Sequence, residues 1–169
     1  MLVILDRDGV INVESAEYVK STAEWQAIPG SLEAIAQLNA AGHSVVVATN
    51  QSGVGRGFYT LETLHAIHEK MLSELTAVGG KIDHIYYCPH HPDDGCACRK
   101  PEPGMLLQAM SDFNAPCSET IFVGDSTRDI EAARAAGCTA ALVLTGNGVR
   151  AQAGDTERFA DLAELVAQL

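Results

Sequence analysis

Short apolar runs alternate with helical patterns along this chain, and that alternation restricts the possible folds more than any other feature. The apolar runs predict strands at Leu2–Leu5, Ser44–Thr49, Ile82–Cys88, Thr120–Val123 and Ala141–Leu144. Apolar residues at helical spacing predict helices that open near Pro29, Thr60, Pro103, Asp129 and Phe159. Strands that are apolar on both faces are typical of parallel sheets covered by helices. We therefore predict an α/β fold with three layers, a Rossmann-like parallel sheet with helices on both faces.

The size of the chain favours one domain. A length of 169 residues with 47% hydrophobic content is enough for one well-buried domain and too small for two large ones. We expect a single domain over residues 1–169. The polar stretch at residues 12–26 has no sustained periodicity and is too short for a separate cap domain. We therefore expect a capless fold in which this stretch is a loop over the carboxyl end of the first strand.

The charge of the chain restricts its partners. A formal net charge of -11 at pH 7 disfavours binding to nucleic acids or anionic membranes, because such binding requires Lys and Arg to neutralise phosphates. No apolar stretch approaches the roughly eighteen residues of a membrane span, and the first strand begins without a basic leader. We expect a soluble, cytoplasmic monomer that binds neither nucleic acid nor membrane.

Polar side chains stand where several of the predicted strands end. In chain order they are Asp6, Asp8, Thr49, Asn50, Lys100, Asp125 and Asp129. The Asp-x-Asp pattern alone would suit a turn after a core strand about as well as a catalytic site. Parallel strands, however, end at one edge of their sheet, which is where α/β folds bind ligands. The whole set therefore predicts a site with carboxylates, a hydroxyl and a lysine.

The chemistry of these groups indicates phosphoryl transfer. Carboxylate oxygens from Asp6 and Asp125 suit Mg²⁺, which also accepts phosphate oxygens. Asp6 could attack phosphorus in line to form an aspartyl-phosphate, while Asp8 could protonate the leaving alkoxide and then deprotonate the attacking water. Thr49 and Lys100 would hold the phosphoryl oxygens where negative charge accumulates. A phosphorylated substrate is the natural ligand of such a site.

These motifs resemble those of the haloacid dehalogenase superfamily of phosphohydrolases. The four matching motifs are Asp6-x-Asp8-Gly9-Val10, Thr49-Asn50, Lys100 and Gly124-Asp125-x-x-x-Asp129. Longer stretches resemble the heptose 1,7-bisphosphate phosphatases of the histidinol-phosphatase-like subfamily; they are Leu5–Asn12, Ala48–Gly53, Cys88–Pro92 and Cys96–Pro101. The resemblance runs from Leu2 to about Gly148. It implies a Mg²⁺-dependent phosphatase that removes the C7 phosphate of a heptose bisphosphate for lipopolysaccharide biosynthesis, with histidinol phosphate as the alternative substrate.

The resemblance also implies roles for individual residues. Asp6 would be the nucleophile and Asp8 the general acid/base, and Asp6, the backbone carbonyl of Asp8 and Asp125 would bind Mg²⁺. The positions that would bind phosphate or the rest of the substrate are Thr49, Asn50, Gln51, Ser52, Arg99 and Lys100.

The motif around Asp125 departs from the pattern of the family. Ser126 stands where many relatives carry Lys or Arg, so Lys100 must provide most of the positive charge, with Arg128 as a possible helper. Two roles stay open for Asp129, which could support the metal site or cap the following helix.

A second metal site is predicted in a segment rich in cysteine. The predicted ligands are Cys88, His90, Cys96 and Cys98. Three thiolates and one imidazole suit closed, tetrahedral Zn²⁺ coordination, and the odd count of five cysteines argues against a disulfide framework. The resemblance supports a zinc loop here, although the spacing is tighter than in most zinc fingers. With no open coordination position the ion would be structural and would hold the loop that carries Arg99 and Lys100. His91 competes with His90 as the fourth ligand, and we predict His90.

The remaining chemically active residues have simpler interpretations. Arg56, in the glycine-rich loop after the second strand, could contact a distal phosphate, although an exposed arginine is more often only solvated. His65 and His68 have no third ligand nearby and are interpreted as surface or packing residues. Cys117 and Cys138 are expected to be buried free thiols.

Overall fold

Six strands and six helices make up the structure, a computed structural model that describes all 169 residues. The strands are β1 (Leu2–Leu5), β2 (Ser44–Asn50), β3 (His84–Cys88), β4 (Thr120–Gly124), β5 (Thr139–Val143) and β6 (Glu157–Phe159). The helices are α1 (Ser31–Ala40), α2 (Ser52–Gly55), α3 (Leu61–Ala77), α4 (Gly104–Asp112), α5 (Thr127–Ala136) and α6 (Leu162–Val166). None of the helices has the length and hydropathy that a membrane span requires.

All six strands form one parallel sheet in the order β3-β2-β1-β4-β5-β6. The chain moves outward from β1 to β3 and then crosses back to β4 on the other side of β1. The strand order therefore reverses between β1 and β4. At such a point the loops after the two strands diverge and leave a crevice at the carboxyl edge of the sheet.

Helices cover both faces of the sheet, as predicted. Val3 and Leu5 of β1 belong to one apolar cluster with residues of α1, α3 and α6. Leu2 and Ile4 belong to a second cluster with residues of α4 and α5. Alternate side chains of a strand point to opposite faces, so β1 is buried from both sides. The predicted three-layer α/β architecture is confirmed.

Local chemistry explains several element boundaries. The Thr60 side chain accepts a hydrogen bond from the backbone N–H of Thr63 at 3.1 Å and thereby caps α3. Ser126 caps α5 in the same way, so α5 begins at Thr127 and not at Asp129 as expected. Gly42, just after α1, has a φ of 84°. Glycine adopts this left-handed conformation without the strain that a side chain would cause.

Residues 12–26 form a loop without helix or strand, as expected. Two isolated bridges at Asn12 tie the start of this loop to Asp8 and to Ala27. Val19 and Trp25 are buried in the cluster under α1 and α3, which anchors the far part of the loop. The loop thus covers the carboxyl end of β1 without forming a cap domain.

Other sequence-based expectations also differ from the structure. Residues 157–159 add a sixth strand, which is too short and too polar to show a strand pattern in the sequence. Residues 52–55 form a single helical turn where only a glycine-rich loop was expected. The prediction of a buried thiol is right for Cys138 and wrong for Cys117, which is exposed beside a surface turn.

Candidate active site

A polar cavity of about 230 Å³ opens at the carboxyl ends of β1, β2 and β4. Its acidic lining residues are Asp6, Asp8, Glu14, Asp125 and Asp129, and its basic ones are Arg99, Lys100 and Arg128. This position is the crevice that the strand order creates. The sequence-predicted carboxylates and lysine therefore come together at one place.

Lys100 lies buried between two of the carboxylates. Its Nζ atom is 2.8 Å from Oδ2 of Asp6 and 2.7 Å from Oδ1 of Asp129. Burial opposes the charged form, but Asp129 and Asp6 outweigh it and the pKa of Lys100 is raised. Lys100 is therefore an ammonium that orients both carboxylates.

Asn50 fixes the backbone of Lys100 through two reciprocal hydrogen bonds. The Lys100 backbone N–H donates to Oδ1 of Asn50, and Nδ2 of Asn50 donates to the Lys100 carbonyl, both at 3.0 Å. Asn50 is the last residue of β2. The end of β2 thus fixes the position of the Lys100 backbone beside the cavity.

The carboxylates carry more negative charge than the nearby cations neutralise. One oxygen from each of Asp6, Asp125 and Asp129 lies within 4.8 Å of the others. Burial raises the pKa of Asp6 to about 8, against the effect of Lys100, and Asp129 and Asp125 add to the rise. Burial also raises the pKa of Asp125 to about 7. A divalent cation with a preference for oxygen ligands, such as Mg²⁺, fits this donor set because it would relieve the repulsion.

Asp129 caps α5, one of the two roles that the sequence left open, and it also pairs with Lys100. Its Oδ2 atom accepts hydrogen bonds from the backbone N–H of Asp125 (3.2 Å) and from the backbone N–H (3.0 Å) and hydroxyl (2.6 Å) of Ser126. This is the capping box of α5. Its Oδ1 atom pairs with Lys100. Ser126 is therefore a helix cap, and Arg128 is the residue of this turn that brings a cation to the cavity.

The Asp8 carboxylate lies among several hydrogen-bond donors. Its carboxylate accepts hydrogen bonds from Nη2 of Arg7 (3.0 and 3.2 Å), Nδ2 of Asn12 (2.9 Å) and Nε2 of Gln51 (2.9 Å). Burial opposes ionisation, but the Arg7 charge and these hydrogen bonds outweigh it and the pKa of Asp8 is lowered. The two neighbouring aspartates thus have opposite electrostatic environments, which is a common sign of different chemical roles.

The other residues predicted to contact the substrate do not all line the cavity. Asn50, Gln51, Ser52 and Arg99 line the cavity. Thr49 is fully buried, and its Oγ1 atom accepts a hydrogen bond from Nε2 of Gln51 at 2.9 Å. The residues that line the cavity include neither Thr49 nor Arg56.

Two glycines give Asp125 its place. A β-carbon at Gly9 or at Gly146 would overlap Oδ2 of Asp125. Both glycines also have a positive φ, 81° and 58°. The same oxygen accepts a hydrogen bond from the backbone N–H of Asn147 at 2.8 Å. Asp125 therefore sits in a narrow backbone slot built by the loops after β1 and β5.

Glu14 and Asn147 are lining residues that no sequence pattern indicated. Nδ2 of Asn147 donates a hydrogen bond to the Glu14 carboxylate across one side of the cavity. The two residues are 133 positions apart in the chain. No local signal in the sequence could have paired them.

The four predicted zinc ligands form a second cluster. Their donor atoms all lie within 4.8 Å of one another. Nδ1 of His90 is 3.4 Å from Sγ of Cys88 and 3.2 Å from Sγ of Cys98, and the sulfur atoms of Cys88 and Cys96 are 3.5 Å apart. His91 instead caps the turn at Pro92–Asp94. The structure therefore places His90, and not His91, in the cluster of predicted ligands.

The chemistry of this cluster fits Zn²⁺. Burial, together with the thiols of Cys88 and Cys96, raises the pKa of Cys98 to about 12. Three thiolates would repel one another here, and a divalent cation that binds sulfur removes that penalty. Because Cys98 is two residues before Lys100, an ion at this cluster would also fix the start of the segment that carries the buried ammonium.

We expect purified protein to contain about one zinc ion per chain, measured by elemental analysis. Cys96→Ser removes one ligand and should lower both the zinc content and the melting temperature. Cys117→Ser, at an exposed cysteine outside the cluster, is the matched control and should keep its zinc. A folded wild-type preparation without zinc would contradict the assignment.

The chain is similar in sequence to phosphatases that are already known. A family model described as HAD-hydrolase-like matches residues 97–169. The D-glycero-beta-D-manno-heptose-1,7-bisphosphate 7-phosphatase of Bordetella bronchiseptica is 51% identical over 173 residues, which are 99% of this chain and 97% of that protein. The enzyme of the same name from Pseudomonas putida is 50% identical over 172 residues, which are 99% and 98% of the two chains.

A solved structure of an enzyme of this kind also matches the chain over nearly its whole length. The crystal structure of D,D-heptose 1,7-bisphosphate phosphatase from B. bronchiseptica, complexed with magnesium and phosphate, matches with a TM-score of 0.96 and 50% identity, and the match covers 99% of this chain and 96% of that one. Identity at this level over nearly the whole length of both proteins identifies a family and not only a shared fold. The chain therefore belongs to the D-glycero-β-D-manno-heptose-1,7-bisphosphate 7-phosphatase family of the haloacid dehalogenase superfamily.

Proposed function

We propose that this protein is a Mg²⁺-dependent phosphomonoesterase that removes the C7 phosphate of D-glycero-D-manno-heptose 1,7-bisphosphate, a step of lipopolysaccharide biosynthesis. The observation that carries the proposal is the meeting of Asp6, Asp8, Lys100 and Asp125 at one cavity. The relatives that are about half identical along the full chain are named as enzymes of this activity.

Three groups at the cavity would hold the Mg²⁺ ion. They are the Asp6 and Asp125 carboxylates and the backbone carbonyl of Asp8. The solved relative from B. bronchiseptica was crystallised with magnesium and phosphate, and the repulsion among the carboxylates supports a cation here. When bound, the ion supplies positive charge to the phosphoryl oxygens.

Asp6 is the proposed nucleophile. Its carboxylate is held by the ammonium of Lys100 at Oδ2 and by the backbone N–H of Arg7, 2.7 Å from Oδ1. In-line attack on phosphorus forms an aspartyl-phosphate and breaks the bond to the sugar oxygen. The Lys100 ammonium is placed to stabilise negative charge on the Asp6 carboxylate before the attack and on the transferred phosphoryl oxygens during it.

Asp8 is the proposed acid and base. In the free protein its carboxylate is ionised, since its pKa is lowered. The negative charge of a bound phosphate favours its protonation. Protonated Asp8 then gives its proton to the leaving alkoxide, and the resulting carboxylate takes a proton from the water that hydrolyses the aspartyl-phosphate.

The other polar residues are proposed to bind the substrate. Ser52 offers a hydroxyl after β2. Asn50 and Gln51 line the cavity beside it, although their amides already bind the Lys100 backbone and Asp8. Buried Thr49 accepts a hydrogen bond from Gln51. Arg99 and Arg128 are the cavity's cations other than Lys100, so we assign them to the distal phosphate.

Arg56 does not line the cavity. A contact between Arg56 and the distal phosphate would require a substrate that extends beyond the cavity.

We also propose that residues 1–169 act as a single capless domain, in the cytoplasm and as a monomer. All groups of the proposed site come from one chain, so a monomer has a complete site. The net charge of -11 supports the absence of nucleic-acid and membrane partners.

Replacement of the nucleophile should abolish turnover. Asp6→Asn keeps the shape of the side chain but removes its charged oxygen, so phosphate release should fall by more than about 10³-fold. Asp155→Asn, at a fully exposed carboxylate, is the control and should be as active as the wild type. Substantial activity in folded Asp6→Asn protein, checked by circular dichroism, would exclude Asp6 as the nucleophile.

The slot around Asp125 can be tested with two matched glycine variants. Gly9 and Gly42 have nearly the same φ, 81° and 84°, but an added methyl group overlaps Asp125 only at Gly9. Both Gly→Ala changes introduce similar backbone strain, and Gly9→Ala should lower stability further because its methyl group also overlaps Asp125. Among the folded variants, only Gly9→Ala should lower Mg²⁺-dependent phosphate release, by about 10²-fold or more, because it displaces a proposed metal ligand. Equal activities for the two variants would show that the slot does not position Asp125.

Substrate preference is the most informative measurement. Phosphate release in the presence of Mg²⁺ should be faster from heptose 1,7-bisphosphate than from histidinol phosphate at equal concentration. Excess EDTA should stop the reaction with both substrates. A preference for histidinol phosphate would overturn the proposed substrate while leaving the reaction class intact.

A further inference from the structure

Arg7 binds the carboxylate of Asp8, and the guanidinium of Arg7 is in turn hydrogen-bonded to a residue outside the cavity lining. Arg7 is fully buried, and its Nη2 atom donates to both oxygens of Asp8. Its Nη1 atom is 3.2 Å from Nε2 of His68, and its Nε atom has no hydrogen-bond partner. Apart from Asp8, His68 is therefore the only hydrogen-bond partner that orients the guanidinium.

The contact between Arg7 and His68 fixes the state of the imidazole. A guanidinium has only donors, so Nε2 of His68 must be an unprotonated acceptor. His68 is then neutral and carries its proton on Nδ1. Burial and the charge of Arg7 agree with this, because they lower the pKa of His68 to about 3. His68 is thus a permanent acceptor at neutral pH.

His68 is a polar residue on an otherwise apolar helix face, and its ring packs near that of Tyr87, with the two centroids 6.2 Å apart. It lies on the buried face of α3 beside Leu64, Ile67 and Met71, all of which are apolar. It does not line the cavity. A buried imidazole costs free energy unless it is hydrogen-bonded. Its bond to Arg7, 61 residues away in the chain, is therefore the feature that distinguishes this position from its neighbours.

A second buried chain reaches Asp8 from the other side. The hydroxyl of Tyr59 donates to Oε1 of Gln51 at 2.6 Å, which orients the amide so that its Nε2 atom donates to Oδ2 of Asp8. Tyr59 is buried and, like His68, lies outside the cavity lining. Two buried side chains outside the cavity lining thus act on the same carboxylate, each through one intervening residue.

We propose that His68, through Arg7, and Tyr59, through Gln51, are positioning residues that hold the Asp8 carboxylate in line with the leaving oxygen of the substrate. The inference rests on the proposed function, since it needs Asp8 to transfer the proton. It adds to that function two residues that are remote from the reacting atoms. Neither residue gains or loses a proton in the step; both act through the direction in which Asp8 points.

The test compares leaving groups. A sugar alkoxide needs a proton as it leaves, whereas acetate, from acetyl phosphate, does not. His68→Leu removes the acceptor, so kcat/KM for heptose 1,7-bisphosphate should fall by about tenfold, a part of the typical general-acid contribution, and kcat/KM for acetyl phosphate by less than about twofold. His68→Gln keeps an acceptor and should restore most of the loss.

Two further variants keep the test decisive. Tyr59→Phe removes one hydroxyl with little change of volume, and should reduce turnover of the sugar phosphate selectively even if His68→Leu does not fold. His65→Leu, at an exposed position of the same helix, is the control and should match the wild type. Equal losses for the two leaving groups, or a His68→Gln variant no better than His68→Leu, would overturn the inference.

Failure of the proposed function can be recognised separately. If the wild type prefers histidinol phosphate, the proposed substrate is wrong, and the same comparison is made with that ester, whose leaving group is also an alkoxide. If Asp6→Asn remains active, the proposed mechanism is wrong. Neither result changes the expected contrast between the leucine and glutamine variants of His68.

Discussion

The buried ion pairs of Lys100 connect the parts of the site that come from distant segments of the chain. The ammonium lies within 2.8 Å of Asp6, after β1, and 2.7 Å of Asp129, in α5. An unpaired charge in this environment would be strongly destabilising. Because Lys100 also follows the cysteine cluster and is tied to Asn50, displacing any of these groups strains the others. Stability of the fold and alignment of the site therefore depend on the same contacts.

Charge balance explains how an acidic protein can bind an anionic substrate. The net charge is -11, and five carboxylates line the cavity against three cations. This surplus repels phosphate unless a metal ion is bound. Two of the lining cations, Arg99 and Arg128, come from the segment after the cysteine cluster and from the first turn of α5.

The sequence predicted five of the six strands, because apolar runs such as those of β1 and β2 are a local pattern. It missed β6, since Glu157 and Arg158 are polar and exposed, and the strand forms by pairing with β5 and by burial of Phe159. It also misplaced the thiol of Cys117, because burial at the end of a loop depends on what packs against it. Short elements and loop exposures are consequences of the completed fold.

For the site, the sequence by itself determined the chemistry: Asp6, Asp8, Lys100 and Asp125 stand in recognisable motifs after strands, and the cysteine spacing indicates a metal. Only the tertiary structure decided the geometry around them. The slot that Gly146 forms for Asp125 and the pairing of His68 with Arg7 both join residues from different segments. Residue types at strand ends follow from local sequence, whereas the direction of each side chain is set by contacts that exist only once the chain has folded.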